Sequence, residues 1–467
     1  MIHFLKHKLS FDKKNSILFA ILIILTITNF NIKRWESKKV INWDVTSYYA
    51  YLPAIFIHND LSLGFIEGRE QYYSNNQMFW PETSPNGAKI IKTTMGMSIL
   101  YAPFFAIGHL EAILTNQSTD GFSIPYHKWI HLSALFYLAF GLYFLNKFLI
   151  KKFNATSSSV TILAIIFGTN LFYYATTEAS MSHVYNFSLI SSFIYFFDDW
   201  HHKATLKKSI VIGILLGLII LIRPINMLIV LFSLTYNVTS LKSLRNNFKL
   251  FFNDYLKLSI IILLVSVAIN IPQLVYWKMY TGDWLFNSYV GETFYFAKPH
   301  IKDLLFSFRK GWLLYTPIMG LSILGFIVLY KKSTRIFWSS ISTFIVFTYV
   351  VSSWWCWWYG GSFGLRAMVD IYPILAIPLA ALTFHIFNSK KALIHYIYSG
   401  ILFIFISLNL FETLQYRHTI IHWDSMTKEA YFNCFGKLQV DEDFKTLLRA
   451  PDSKSARAGE KEYLNHP

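Results

Sequence analysis

Apolar runs recur along the whole chain, and many of them approach the length needed to cross a membrane. A stretch of about 18 or more mostly apolar residues is typical of a transmembrane helix. We predict eleven such helices, at roughly 15–31, 129–149, 159–176, 186–200, 209–222, 225–237, 256–274, 312–330, 336–352, 368–387 and 393–411. The pattern therefore predicts an all-α integral membrane protein.

Basic residues collect in every second short loop between these runs. The loops in question contain Lys151 and Lys152; Lys203, Lys207 and Lys208; Lys242, Arg245 and Lys249; Lys331, Lys332 and Arg335; and Lys390 and Lys391. Short cytoplasmic loops hold the excess of Lys and Arg in membrane proteins. We therefore predict that the N-terminus is cytoplasmic and that the C-terminus lies on the outer face.

The first apolar run follows a basic start that includes Lys6, Lys8, Lys13 and Lys14. It ends at Asn29-Phe30-Asn31, which offers no small-residue cleavage site, so we expect a retained anchor rather than a cleaved signal peptide. The predicted organisation is one transmembrane domain, residues 1–411, followed by a small outer tail, residues 412–467.

The first outer loop, residues 31–128, is long enough to be functional in its own right. Its segment 94–114 is apolar enough to span the membrane, but counting it would place the lysine pairs outside. It also contains Pro103, His109 and Glu111. We expect this segment to lie at the outer interface as an amphipathic helix, and Tyr48 to Ile57 to form a second such element.

Composition supports the membrane class and argues against a nucleic-acid binder. The chain is 54% hydrophobic and only 15% charged, whereas soluble domains have about a quarter charged residues. Its 42 Lys and Arg exceed its 26 Asp and Glu, but in a polytopic protein such bases orient helices. Cys356 and Cys434 form neither a disulfide framework nor a metal-ligand spacing. We expect no cofactor, and a divalent metal stays open.

Unusual polar residues gather in the loops predicted to lie outside. Asp44 sits in an aromatic-rich, partly apolar stretch that would suit a general base; alternatively it caps the following helix, with Thr46 or Ser47 competing for that position. Glu178 and His183 share a short loop. They could hydrogen-bond a hydroxylated substrate or solvate a tight turn, and their spacing does not match the two-histidine zinc motif.

Arginines occupy the same predicted boundary. An arginine near a helix end is costly in hydrocarbon unless it reaches the headgroups or binds an anion. Arg223 could therefore bind a lipid phosphate bidentately or simply extend to the interface. Arg309 precedes the run Gly311 to Pro317, and Arg366 ends a run from Ser353 that contains four tryptophans and three glycines.

These motifs resemble the GT-C superfamily of polytopic glycosyltransferases, especially the branch of protein O-mannosyltransferases and aminoarabinose transferases. The matching positions are Trp43-Asp44 with Tyr48-Tyr49, Lys92 to Gly96, Thr176 to Glu178, Arg223-Pro224, Gly311 to Pro317 and Trp357 to Arg366. The last three resemble uncharacterised bacterial members. The resemblance covers about residues 15–411. The chain departs from the family in having a single Asp44 instead of an acidic pair, and Glu178 where many members have aspartate.

The resemblance implies an inverting hexosyl- or pentosyltransferase in the bacterial inner (plasma) membrane. The sugar would pass from a polyprenyl-phosphate donor to a lipid, glycan or protein acceptor on the outer face, with membrane lipids as further partners. It implies Asp44 and Glu178 as catalytic residues. Arg223, Arg366 and Arg309 would bind the donor phosphate, and the substrate-binding residues would be Trp43, Tyr48, Lys92, His183, Tyr315, Trp358 and Tyr359.

Two other functions are weighed against this one. A transporter or flippase of a lipid-linked glycan would show inverted repeats and mid-membrane polar residues, and the chain shows no convincing repeat. A non-catalytic membrane scaffold would have no need of the arginines at the outer boundary.

Overall fold

The computed structural model describes residues 16–460, so the basic segment before the first apolar run and the last seven residues of the tail lie outside the described chain. Helices make up 69% of the structure. Seven helices in the described part are long and apolar enough to cross a membrane. The prediction of an all-α fold is confirmed, and the seven helices support the prediction of an integral membrane protein.

The α-helices are α1 (Ser16–Ile32), α2 (Asp44–Tyr49), α3 (Tyr51–Phe56), α4 (Glu70–Asn75), α5 (Gly96–Leu114), α6 (Ile124–Lys152), α7 (Ala155–Phe167), α8 (Leu171–Thr176), α9 (Ser182–His202), α10 (Leu206–Ile222), α11 (Val230–Leu234), α12 (Leu241–Lys249), α13 (Leu256–Thr281), α14 (Ile301–Phe306), α15 (Trp312–Tyr315), α16 (Met319–Lys332), α17 (Thr334–Ser352), α18 (Tyr372–Phe387), α19 (Ala392–Arg417), α20 (Lys428–Cys434) and α21 (Ser453–Arg457). Short 3₁₀ segments are Arg34–Ser37, Gly64–Ile66, Pro224–Ile229, Arg366–Ile371 and Glu442–Leu447, and Leu250–Asp254 is a π-helical turn.

The seven candidate spans match six of the eleven predicted runs and add α5. They are Ser16–Ser37, Gly96–Leu114, Ile124–Lys152, Leu256–Thr281, Thr334–Ser352, Arg366–Phe387 and Ala392–Arg417. Two predicted runs are broken helices: 159–176 divides into α7 and α8 near Gly168, and 312–330 divides into α15 and α16 near Pro317. Proline cannot donate the helical hydrogen bond, which accounts for the second break.

Two buried carboxylates mark the two ends of the helical bundle. Asp370 lies near His183 at the start of α9, and Asp198 lies near the end of the same helix. Helix α6 runs alongside α9 in the same direction, since Ser133 contacts Tyr185 and Lys152 pairs with Asp198 farther along. We refer below to the Asp370 end and the Asp198 end.

The predicted run 225–237 connects these two ends, although it is mostly a 3₁₀ segment and the short α11. Arg223 pairs with Asp370, and the Tyr236 hydroxyl donates to Asp198. The segment therefore passes from one end of the bundle to the other without one long regular helix.

Both termini of helix α5 contact residues at the Asp370 end of the bundle. The Thr94 hydroxyl, just before α5, donates to the Leu221 carbonyl at the end of α10. Near its other end, Glu111 pairs with Lys128 in the first turns of α6 at 2.9 Å. This geometry supports the predicted interfacial placement, whereas length and apolar composition alone would also permit a crossing.

The first outer loop contains a small antiparallel hairpin that the sequence analysis did not predict. Strands β1 (Pro81–Thr83) and β2 (Lys89–Ile91) pair around a turn in which Gly87 has φ 85°. The Asn86-Gly87 dipeptide is a recognisable hairpin signal. Helices α2 and α3 confirm the predicted helical element at Tyr48 to Ile57.

Candidate functional site

Asp44 and Arg366 form an ion pair at the Asp370 end. Asp44 begins α2, and its Oδ2 lies 2.9 Å from Nη2 of Arg366, which begins the 3₁₀ segment before α18. The carboxylate side chain is 46% exposed and the guanidinium side chain 16%. No side-chain capping hydrogen bond is present at the start of α2. Asp44 is therefore engaged with Arg366, and the alternative role as a helix cap is not what the structure shows.

Two residues near this pair have a backbone conformation that is unusual for residues other than glycine. Trp43, directly before Asp44, has φ 52° and ψ −131°, and Tyr359 has φ 58°. Such conformations cost about 1–3 kcal/mol for residues other than glycine and cluster at functional sites. Trp43 is 64% exposed, and its ring packs edge-to-face against that of Trp80, with the ring centroids 5.4 Å apart. An aromatic surface thus borders the ion pair.

Asp370, which is fully buried, is the centre of a second polar cluster. Its carboxylate lies 2.9 Å from His183 Nδ1, 3.1 Å from Arg223 Nη1 and 2.9 Å from Asn226 Nδ2. Arg223 is 19% exposed, and its guanidinium lies 6.0 Å from the ring centroid of Tyr359. Arg223 thus pairs with a buried carboxylate instead of extending freely to the headgroups.

Sequence reasoning did not assign Asp370 to the site. The signal was a carboxylate at the start of an apolar run, where a charge is costly unless it is paired. Its partners come from α9 and from the segment after α10, so only the folded bundle identifies them.

Tyr48 lies in the fields of both ion pairs. Burial raises the pKa of its hydroxyl, the Asp44 carboxylate raises it further, and the Arg223 and Arg366 guanidiniums lower it. The Tyr48 hydroxyl also lies 3.5 Å from the Ser182 hydroxyl. Asp44, Arg366, Arg223 and Tyr48 therefore lie close together, and their assignment to a functional site stays a prediction.

Glu178 lies in the turn between α8 and α9, in the field of Arg366. Burial raises the pKa of the Glu178 carboxyl, while the Arg366 guanidinium opposes that shift. A carboxyl with a raised pKa is suited to hold and donate a proton. Arg366 therefore interacts with two carboxyl groups: it is in direct contact with Asp44, and it acts on Glu178 over a longer distance.

Arg309 and Lys310 tie the C-terminal segment, residues 418–460, to the site. Arg309 Nη1 donates to the carbonyls of Asp424 and Arg449 at 2.5 and 3.1 Å. Buried Lys310 donates to the carbonyls of Ser362 and Trp423, and burial lowers the pKa of its amine to about 7. The role of Arg309 in phosphate binding stays a prediction.

Lys310 was not among the predicted site residues. Its signal was a basic pair directly before Gly311, at the start of an apolar run. Sequence could not show that Lys310 would be buried between two separate segments of the chain.

The remaining predicted substrate residues, Lys92, Tyr315 and Trp358, each contact other residues of the protein. Lys92 pairs with Glu292 at 2.8 Å and Glu82 at 3.4 Å, and lies 5.2 Å from the Tyr289 ring centroid. The Tyr315 hydroxyl donates to the Phe308 carbonyl at 2.6 Å. Trp358 is buried, with the Arg309 guanidinium 5.9 Å from its ring centroid. Their substrate roles stay predictions.

Two further findings concern metal ligands and similarity to known proteins. Among residues 16–460, no three His, Cys, Asp or Glu side chains are grouped so that they could hold a metal ion. Compared with known protein families and with curated proteins, the chain matches none.

Proposed function

We propose that the protein is a membrane glycosyltransferase that moves a sugar from a polyprenyl-phosphate donor to a lipid, glycan or protein acceptor at the Asp370 end. The observation that supports it most is the half-exposed Asp44 carboxylate beside Arg366, with Arg223 in the same site. A base and two guanidiniums are the groups that attack on a phosphate-activated sugar requires.

In the proposed reaction Asp44 takes the proton of the acceptor hydroxyl. The acceptor oxygen then forms a bond to the anomeric carbon as the bond from that carbon to the phosphate oxygen breaks, with inversion. The departing polyprenyl phosphate gains negative charge, which Arg366 and Arg223 stabilise. The product is a glycosylated acceptor and a free lipid phosphate, so atoms and charges balance.

The Asp44–Arg366 contact suggests an order for these events. The Asp44 Oδ2 lies 2.9 Å from the Arg366 guanidinium, so this contact occupies the oxygen that would take the acceptor's proton. A donor phosphate offers Arg366 a second anion, and a bidentate contact with it would release Asp44. Donor binding would therefore precede activation of the acceptor.

The proposed orientation places the Asp370 end on the outer face of a bacterial inner membrane, with eleven crossings and a cytoplasmic N-terminus. Lys151 and Lys152 support it, because both pair with Asp198 at the opposite end, and basic residues mark the cytoplasmic side. Helix α5 is then an outer-face element, since both of its ends meet the Asp370 end.

The lipid-linked sugars of cells with and without the protein test this function. A glycosyltransferase predicts that its polyprenyl-phosphate sugar accumulates when the protein is missing and that the glycosylated acceptor disappears. An unchanged profile contradicts the proposal. A flippase predicts the same accumulation but confined to the inner leaflet, so leaflet-selective chemical labelling of the accumulated donor distinguishes the two.

A further inference from the structure

Helix α12 and the π-helical turn after it present an apolar stripe and a basic stripe side by side at the Asp198 end. Leu241, Phe248 and Phe252 are exposed, and the rings of Phe248 and Phe252 stack with centroids 6.1 Å apart. Lys242, Arg245 and Lys249 are spaced by three and four residues, as on one face of a helix, and Lys242 and Lys249 directly follow Leu241 and Phe248. The two stripes are therefore neighbours on the outward surface of one short element.

The bundle fixes which face of α12 is turned outward. Buried Asn247 donates from Nδ2 to the carbonyls of Leu234 and Tyr236 at 3.0 and 2.5 Å. A capping box between Ser240 and Ser243 closes the start of the helix. Since Tyr236 also donates to Asp198, α12 is anchored directly to the polar cluster of that end.

The position of α12 along the chain puts it at a membrane surface. Helix α13 begins at Leu256, only a π-helical turn after α12, and is the most apolar of the seven candidate spans. An element that directly precedes a transmembrane helix lies at the level of the headgroups. The apolar stripe then faces acyl chains while the basic stripe faces headgroups.

Charge in this region is strongly one-sided. Between residues 238 and 257 the basic residues are Lys242, Arg245, Lys249 and Lys257, and Asp254 is the single acidic one. Within residues 16–460, none of the three basic residues of α12 forms an ion pair with a carboxylate, unlike Lys151 and Lys152 nearby. Their charges are available to an external anion.

We infer that α12 and the π-helical turn after it form a binding site for anionic phospholipids in the leaflet at the Asp198 end. The headgroup phosphates contact Lys242, Arg245 and Lys249, while Leu241, Phe248 and Phe252 insert between the acyl chains. This site is far from the Asp44–Arg366 pair and does not depend on the proposed transferase activity.

The test measures which lipids the full-length protein retains. Protein reconstituted in nanodiscs of equal phosphatidylglycerol and phosphatidylcholine is released into mild detergent, and its bound lipids are counted by native mass spectrometry. Each Lys or Arg near an anionic surface contributes about a fivefold change in affinity. The triple variant Lys242→Gln, Arg245→Gln, Lys249→Gln should therefore bind phosphatidylglycerol about a hundredfold more weakly and lose most of its enrichment.

A matched control comes from the loop between α18 and α19. Lys390 and Lys391 are exposed and lie in another predicted cytoplasmic loop, next to exposed Leu393 and Tyr396 instead of the stacked rings of Phe248 and Phe252. Lys390→Gln with Lys391→Gln should lower the enrichment clearly less than the triple variant does. Equal retention by the triple variant and the parental protein, or equal loss in the control, would overturn the site.

A second measurement needs no variant, in case the triple substitution impairs folding. Raising the salt concentration screens exposed charges, so phosphatidylglycerol enrichment of the parental protein should fall steeply between low and high salt. Enrichment that does not depend on salt would contradict electrostatic headgroup binding at α12.

Discussion

At the level of single residues, two arginines lie close together and form ion pairs with different carboxylates. Arg366 pairs with half-exposed Asp44, whereas Arg223 pairs with buried Asp370. The sequence identified both arginines and Asp44 as site residues because charges at a membrane boundary require a reason. It missed Asp370 and Lys310, because their partners come from distant segments that only the fold brings together.

Arg366→Lys should weaken donor binding, because lysine keeps the charge but loses the planar fork that binds a phosphate bidentately. We expect a rise in the apparent KM for the lipid donor of about tenfold or more, with protein yield unchanged. Steady-state kinetics with a purified lipid-linked sugar would measure it.

Arg223→Lys should have the same direction of effect if Arg223 also reaches the phosphate. It should additionally lower thermal stability, because Asp370 is fully buried and relies on its partners. Arg449→Lys is a suitable control, since its side chain is exposed and donates to the carbonyls of Thr446 and Leu448. Donor kinetics in which both site variants match this control would contradict the shared-phosphate arrangement.

At the level of helices and strands, the apolar pattern predicted the positions of the helices better than it predicted their interruptions. The runs at 159–176 and 312–330 looked continuous, yet Asn409 donates to the carbonyls of Phe167 and Thr169 at the first break, and Pro317 lies at the second. The hairpin at β1 and β2 was missed because its two strands are only three residues long each. Close contacts between helices could not be predicted either, because the sequence does not show which helix packs against a given glycine.

Gly325 in α16 shows such a crossing. A Cβ at Gly325 would lie 2.1 Å from the Pro378 carbonyl oxygen of α18, whereas a Cβ at Gly320 of the same helix would meet nothing within 4 Å. Gly325→Ala should destabilise the protein by about 1–3 kcal/mol. Gly320→Ala should be neutral or slightly stabilising, because alanine favours a helix. Thermal unfolding in detergent measures both, and equal midpoints would contradict the packing described.

Lys310 gives the C-terminal segment a pH dependence with a definite sign. Burial lowers the pKa of its amine to about 7, below the unfolded value of about 10.4. Between these values the unfolded chain binds more protons, so stability should rise with pH from about 7 to 10, by up to about 1.4 kcal/mol per pH unit. Unfolding midpoints from pH 7 to 9 would record the slope.

Lys310→Met should remove this contribution to the slope, while Lys298→Met serves as the control. Lys298 also donates to the C-terminal segment, at the Gly459 carbonyl, but is exposed. If the Lys310→Met protein keeps the parental slope, Lys310 does not titrate in this range.

At the scale of the whole molecule, the two polar ends should face opposite sides of the membrane. We expect a cysteine placed at Lys207 to be labelled only from the cytoplasm and one at Asn59 only from outside. Cys356 and Cys434 are replaced by serine beforehand. Labelling of position 207 from outside would invert the topology and move the site to the cytoplasmic face.

In the proposed reaction Asp44 activates an acceptor for attack on a lipid-phosphate sugar. The most direct measurement is release of free polyprenyl phosphate by the purified protein, using a lipid extract from cells that lack it as the donor and acceptor source. The parental protein should release it together with a glycosylated product. Asp44→Asn, nearly the same shape, should release it at least roughly a hundredfold more slowly, with Asp441→Asn unaffected. Near-normal release by the Asp44→Asn protein would contradict the account.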